Sequence, residues 1–237
     1  MEIRAIGGGA MRTFNALAIM VPLALMLSLP ANADVINPII NGSFETPDIP
    51  QGVAYGPVGG WETYYSYTPA LAWTPTTGGM EILDRVIADI VDGKEIVWYA
   101  YDGDQFAELD ANSNGGMYQT IDTTIGRHYT LHFVYSPRPG VLPDSNIIDL
   151  YVNGSLLHSL TGSGIGEYYP SWSHHNYQFV ATGTSTEIKF LANGISDGLG
   201  GFLDDIRITP VPEPSTMLLL GSGLVGLVGY GRRRFKK

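Results

Sequence analysis

Two clusters of aromatic side chains are the residues of this chain whose types and spacing best suit recognition of a ligand. Flat rings stack on the apolar faces of sugars, and neighbouring Asp or Asn side chains can hydrogen-bond sugar hydroxyls. Both clusters lie in segments that contain Pro and Gly, where binding loops are common. The alternative is that the rings belong to the core. The residues predicted to bind carbohydrate are Tyr64, Tyr65, Tyr67, Trp73, Tyr168 and Tyr169.

Catalytic and thiolate chemistry find little support in the sequence. The chain has no cysteine, which excludes disulfides and thiolate metal sites. It contains no His-Glu-x-x-His motif. His174 and His175 are adjacent, and neighbours on a strand face opposite ways, so they do not form a zinc site. We therefore predict a protein without enzymatic activity.

Residues 110–115 match the first half of a calcium-binding loop. The twelfth position, where such a loop places a bidentate carboxylate, is Ile121. Asx turns account for the same residues, and we favour that interpretation.

The distribution of charge separates an acidic body from a basic end. The 237 residues carry a net charge of −10, while residues 34–210 alone carry −15. This charge argues against a nucleic-acid partner, because such a partner needs a basic face to displace counterions from phosphates. Five of the last 27 residues are basic and one is acidic, which is typical of a membrane-associated end.

The body between residues 34 and 210 has the pattern of an all-β domain. Apolar residues alternate with a period of two at 128–135, 187–192 and 202–208. The Asn153-Gly154 pair predicts a two-residue hairpin turn. Many short strands separated by turns predict an antiparallel β-sandwich. Residues 82–91 differ, because their apolar side chains recur at helical spacing before Asp92-Gly93, and we predict one amphipathic helix there.

The N-terminal residues 1–33 have the features of a secretory signal peptide. Arg4 and Arg12 give a positive start, and residues 14–29 are almost wholly apolar. Ala31 and Ala33 form the small-x-small site of signal peptidase, which predicts cleavage before Asp34.

The C-terminal residues 211–237 have three parts. Pro212, Glu213 and Pro214 are followed by the apolar run 216–230 and then by Arg232, Arg233 and Arg234. The pattern predicts one short transmembrane helix with its positive end in the cytoplasm. Fifteen helical residues span roughly 22 Å of a core of about 30 Å, which favours a transient anchor.

This tail resembles the PEP-CTERM sorting signal in its Pro-Glu-Pro triplet, its apolar run and its terminal arginines. The resemblance implies an exosortase that recognises the triplet and removes the tail. It also implies a Gram-negative bacterium that makes exopolysaccharide or biofilm matrix. The protein would be held at the inner membrane before processing and then reach the cell surface or the extracellular matrix.

Six short motifs follow one another along the body, at residues 41–45, 60–61, 102–109, 116–121, 126–133 and 203–206. In this order they resemble the galactose-binding-like β-sandwich of carbohydrate-binding modules, over residues 35–209. The resemblance implies a jelly-roll topology and a core position for Trp61 and Trp172.

Such modules often hold a structural calcium ion, and the resemblance assigns it here to Glu45 with Asp204 or Asp205. Asp204 has the parity of Ile206 and Ile208, so we expect it to point inward, where a bare carboxylate is unfavourable. The alternative is that Asp204 accepts backbone N–H bonds and Glu45 lies on the surface.

Two functions agree with these features. The first is an exported sandwich at 34–210 that binds exopolysaccharide without catalysis. The second is a matrix-structural or adhesive protein that binds no sugar specifically.

Overall fold

The structure is a computed structural model that describes residues 37–50, 60–91, 94–212 and 221–224. Thirteen β-strands make up most of the regular structure of these residues, and 221–224 are helical. The strands are β1 (Trp61–Tyr64), β2 (Thr74–Pro75), β3 (Met80–Asp84), β4 (Ile87–Val91), β5 (Lys94–Val97), β6 (Gln105–Glu108), β7 (Gly116–Asp122), β8 (His128–Ser136), β9 (Ile148–Val152), β10 (Ser155–Leu160), β11 (Ser173–Val180), β12 (Ser185–Ala192) and β13 (Phe202–Pro210).

The strands form two antiparallel sheets and one separate hairpin. The front sheet has the order β1-β3-β6-β13-β8-β11, and the back sheet has the order β10-β9-β12-β7-β2. Strands β4 and β5 pair only with each other. The prediction of an all-β antiparallel sandwich is confirmed, as is the Asn153-Gly154 turn between β9 and β10, where both residues have positive φ.

The main core lies between the two sheets because one face of each strand is apolar. In β8 the alternate residues Tyr129, Leu131, Phe133 and Tyr135 are buried there. The ring of Phe133 meets that of Phe190 from β12 edge to face, with centroids 5.1 Å apart. Each such side chain contributes about 1.5–3 kcal/mol when it is fully buried.

A second apolar cluster covers the outer face of the front sheet. Phe106 and Phe202 point outward from β6 and β13, and Ile96 and Trp98, from β5 and just after it, pack with them. Trp61 and Trp172 pack against this cluster and are half-buried. The sheet is therefore buried on both faces near the hairpin.

The predicted helix at 82–91 is wrong. These residues belong to β3 and β4, which are separated by Arg85, with a φ of 41°, and Val86. Ile82 lies in the main core and Leu83 in the second cluster, because β3 is covered on both faces. A strand buried on both sides has adjacent apolar residues, and such pairs imitate the spacing of an amphipathic helix.

The motif at residues 41–45 joins the start of the domain to its last strand. The carbonyl of Gly42 accepts the N–H of Ile206 at 3.0 Å. A Cβ at position 42 would lie 1.9 Å from the Ile206 carbonyl oxygen, so the approach requires glycine. The Asn41 amide donates to the carbonyls of Thr46 and Leu71.

The expectation that Asp204 shares a face with Ile206 and Ile208 is wrong. The register of β13 against β8 shifts between Asp204 and Arg207, and Asp205 has a φ of 47°. This irregularity adds one residue to β13. Asp204 therefore lies on the outer face of the sheet, as Phe202 does, while Ile206 and Ile208 lie in the main core.

The predicted signal peptide at 1–33, with Ala31 and Ala33, lies outside the described residues. So does the predicted tail helix at 216–230, apart from residues 221–224. No helix within the described ranges has the length and apolar character needed to cross a bilayer.

Candidate functional site

A cleft of about 560 Å³ opens on the outer side of the front sheet. We call this end of the sandwich, where β8 finishes and β13 begins, the cleft end. The floor of the cleft includes Thr63 and Glu81, and its walls include Trp61, Trp98, Arg138 and Tyr168.

Four loops meet at the cleft end because their flanking strands run in alternating directions. They connect β6 to β7, β8 to β9, β10 to β11, and β12 to β13. Two of them are joined by backbone hydrogen bonds, from Gly140 to the carbonyl of Gly164 at 2.8 Å and from Gly164 to that of Val141 at 2.9 Å. A Cβ on Gly164 would lie 1.9 Å from the carbonyl oxygen of Arg138, so this contact also requires glycine.

Arg138 is the basic residue of the cleft and is already paired. Its guanidinium binds the carboxylate of Glu108, which is fully buried and also accepts the N–H of Gly200 at 2.8 Å. The guanidinium lies 5.2 Å from the centroid of the Trp98 ring, within the range of a cation–π contact. Burial raises the pKa of Glu108, and the charge of Arg138 opposes that rise.

Glu81 presents an acceptor on the floor of the cleft. The Thr63 hydroxyl donates to its Oε1 at 2.9 Å. Desolvation raises the pKa of Glu81, while the bond from Thr63 and the charge of Arg138 lower it. Tyr168 is exposed at the rim, and its carbonyl accepts the indole N–H of Trp98 at 3.2 Å. The cleft thus combines aromatic surface with hydrogen-bonding groups.

The structure brings only part of the predicted aromatic set to this cleft. Tyr168 lines it, and the hydroxyl of Tyr65 accepts a hydrogen bond at 2.6 Å from Asn112, another lining residue. Tyr169 is exposed but does not line the cleft. Tyr64 is half-buried against the main core, and Tyr67 lines a different cavity, beside β7.

The prediction that Trp73 stacks on a sugar is wrong. Its side chain is completely buried in the main core, 5.9 Å from the Phe44 ring between centroids. Its indole N–H donates to the carbonyl of Asn41 at 3.0 Å. A ring that has no exposed face cannot contact a soluble glycan.

The carboxylates assigned to calcium are occupied by N–H groups. Asp204 accepts from the backbone of Tyr101, Asp102 and Asp205 at 2.6–2.9 Å. Glu45 is exposed and accepts from two further backbone N–H groups, at residues 104 and 105.

Asp205 lies 3.4 Å from the guanidinium of Arg207. In the part of the chain that the structure describes, no three acidic or histidine side chains are placed to hold a metal. The hydrogen bonds of Asp204 and the exposure of Glu45 agree with the alternative to a metal site, and the calcium prediction remains to be tested.

We expect that EDTA leaves the melting temperature of residues 34–210 unchanged. A metal that binds only the folded state stabilises it, so its removal would lower the melting temperature. Differential scanning calorimetry with EDTA and with added calcium measures this, with magnesium as the control ion. A calcium-specific rise in melting temperature would restore the metal assignment.

Two polar side chains of residues 110–115 contact the loop between β12 and β13. The buried carboxylate of Asp110 accepts the N–H groups of Asp197 and Gly198 at 3.0 and 3.2 Å. The side chain of Asn114 donates to the carbonyl of Gly194 at 2.7 Å. These contacts hold the β12–β13 loop at the cleft end.

Three residues of the cleft, Glu81, Trp98 and Arg138, were not predicted from the sequence. Glu81 and Trp98 lie on either side of the segment mistaken for a helix. For Arg138, the available sequence signal was that residues 34–210 contain only six basic residues.

Comparison with known proteins identifies the tail. Residues 210–234 match the model of the PEP-CTERM protein-sorting motif. This motif marks an exported protein that is sorted by an exosortase to the cell surface.

Two curated relatives are multifunctional-autoprocessing repeats-in-toxin proteins. The one from Vibrio vulnificus is 30% identical over 105 residues, which is 44% of this chain. The one from Vibrio cholerae serotype O1 is 29% identical over 108 residues, or 45% of this chain. Each match spans only 2% of the relative's length.

Solved structures similar to this chain include carbohydrate-binding modules. TmCBM61 in complex with β-1,4-galactotriose has a TM-score of 0.43 and 16% identity, covering 74% of this chain and 99% of that one. A family 35 module from an environmental isolate scores 0.37 at 21% identity, covering 48% and 83%. The Stig cyclase FisC from Fischerella sp. TAU scores 0.46 at 17% identity, covering 74% and 97%. At these scores no residue's role is transferred.

Proposed function

We propose that this exported protein binds a neutral saccharide of the extracellular matrix in the cleft, without chemical conversion. Before sorting, the apolar run 216–230 holds the chain in the inner membrane, and an exosortase then removes the tail.

The observation that carries the proposal is the pairing of ring surface with acceptors in one open cleft. Tyr168 and Trp61 offer apolar faces, while Glu81 and Asn112 offer groups that bond hydroxyls. The charged lining favours a neutral ligand, because Arg138 is already paired with Glu108 and the remaining lining charges are acidic.

The state of two neighbouring carboxylates supports binding without catalysis. Glu81 on β3 and Glu108 on β6 are directly paired across the two neighbouring strands. Two carboxylates flanking a glycosidic bond are the usual requirement for hydrolysis. Glu108, however, is completely buried and held by Arg138, so it does not reach a ligand in the cleft.

Tyr168→Ala is expected to weaken glycan binding by about ten-fold, the equivalent of losing roughly 1.4 kcal/mol of contact. Tyr169→Ala is the matched control, because the two rings are 57% and 52% exposed and only Tyr168 lines the cleft. Residues 34–210 would first be screened on a glycan array, and the affinities of both variants for the retained glycan then measured by calorimetry.

Equal loss in both variants would place the glycan outside the cleft. Failure of the folded domain to retain any glycan, with matrix association intact, would favour the matrix-structural function instead. Preference for uronic acids over neutral sugars would contradict the charge argument.

A further inference from the structure

Both ends of the folded domain leave the sandwich at the same place, opposite the cleft. Strand β13 finishes at Pro210, and the N–H of the next residue, Val211, donates to the carbonyl of His128 at 2.9 Å. Near the start of the described chain, the side chain of Asn37 accepts the N–H of Ile208 at 2.9 Å. We call this end, where β13 finishes and β8 begins, the tail end.

Two loops at the tail end form one connected surface. They join β7 to β8 and β11 to β12. Gly126 donates to the carbonyl of Ala181 at 2.8 Å, and Ala181 donates to that of Arg127 at 3.0 Å. Thr123 donates to the carbonyl of Thr184 at 3.0 Å. The loops are therefore held together and to the point where the tail begins.

This surface carries two exposed apolar side chains among small uncharged ones and is nearly neutral, in a strongly acidic domain. Ile125 is 64% exposed at the tip of the first loop, and Val180 is exposed at the end of β11. Between residues 122 and 127, Asp122 and Arg127 are the charged side chains, and residues 180–184 have none. Residues 34–210 as a whole carry −15.

The sequence leaves little distance between this surface and a membrane. Five residues, 211–215, separate the end of β13 from the apolar run 216–230. Fully extended, they span at most about 18 Å. An anionic bilayer repels an acidic domain, so a neutral apolar surface beside the tether is the part that can approach it.

We propose that, before the tail is removed, the tail end rests on the bilayer through Ile125 and Val180, and the cleft faces away from it. The inference rests on the part of the proposed function that inserts the tail in the inner membrane. Strand β8, with nine residues, separates the two ends by about 27 Å. The cleft is thus open to saccharide while the chain is still anchored.

The absence of cysteine makes the orientation directly measurable. The full-length chain, carrying Ile125→Cys or Leu142→Cys, is labelled with an NBD fluorophore. It is then reconstituted in vesicles of phosphatidylethanolamine and phosphatidylglycerol that contain nitroxide-labelled lipid. Leu142 is the matched control, because it is 61% exposed and lies in the β8–β9 loop at the cleft end.

We expect the nitroxide lipid to quench the label at 125 and to leave the label at 142 unchanged. Flotation with the vesicles but equal quenching at both positions would overturn the orientation alone. Failure to float would overturn the membrane tether as well. Shielding of position 125 only when exosortase is added would assign the surface to a protein partner and contradict the bilayer proposal. Glycan binding is measured separately and does not enter these outcomes.

Discussion

Replacing Arg138 by methionine is expected to lower the free energy of unfolding by about 3–5 kcal/mol at pH 8. The substitution leaves the carboxylate of Glu108 buried without its cation, and water cannot reach that carboxylate. Removing one member of a buried ion pair is far more destabilising than removing both, because the remaining charge keeps its full desolvation penalty.

The effect of Arg138→Met should grow with pH. Burial holds the pKa of Glu108 above that of an unfolded glutamate, and loss of the cation raises this pKa further. A group whose pKa is raised on folding favours the folded state at low pH, and this contribution is lost as the pH rises. The variant should therefore be closest to the wild type at pH 5, where the raised pKa leaves Glu108 protonated in both folded proteins.

Urea denaturation at pH 5 and pH 8 measures both effects. Arg207→Met is the matched control, since the Arg207 side chain is 48% exposed where it pairs with Asp205 at 3.4 Å and should contribute no more than about 1 kcal/mol. The double variant Glu108→Gln with Arg138→Met should recover much of the loss. Equal destabilisation by Arg138→Met and Arg207→Met would contradict the buried pair.

Trp73→Ala is the second substitution with a large expected effect, about 3–5 kcal/mol of lost stability. The change leaves a cavity beside Phe44 and removes the indole N–H from the carbonyl of Asn41. That carbonyl belongs to the segment joined to β13, so the loss should loosen the start of the domain.

The control is Tyr67→Ala, at an exposed ring from the same predicted cluster, and its effect should stay within about 0.5 kcal/mol. Urea denaturation midpoints provide the comparison. If Trp73→Ala impaired glycan binding without lowering stability, the buried assignment of Trp73 would be wrong.

Trp73 illustrates why aromatic residues were hard to place from the sequence. It shares with Tyr67 a segment with Pro and Gly, and composition does not distinguish a ring that packs inward from one on the surface. The distinguishing contacts are with Phe44 and Asn41, about 30 residues away. In contrast, the alternation in β8 and β12 identified their buried faces, because a period of two is a local property.

The cleft was not predicted from the sequence, for a related reason. Its lining comes from the start of the front sheet, the hairpin and four loops, which are brought together only by the strand order. Tyr168 was predicted as a site residue because it lies in an aromatic cluster of the sequence. Glu81 and Arg138 had no such local signal. Because a helix was predicted at 82–91, the β4–β5 hairpin that forms one wall of the cleft was not predicted.

The hydrogen bonds that fasten β13 also determine how the domain would carry mechanical load. The strand lies in the middle of the front sheet, between β6 and β8, and leads directly into the tail. A pull between a glycan in the cleft and an anchored tail runs along β13. The backbone hydrogen bonds between neighbouring strands lie across the strand direction. A force along β13 therefore loads all of them at once in shear and does not break them one at a time. A domain tethered in this way would resist drag on the polymer it holds.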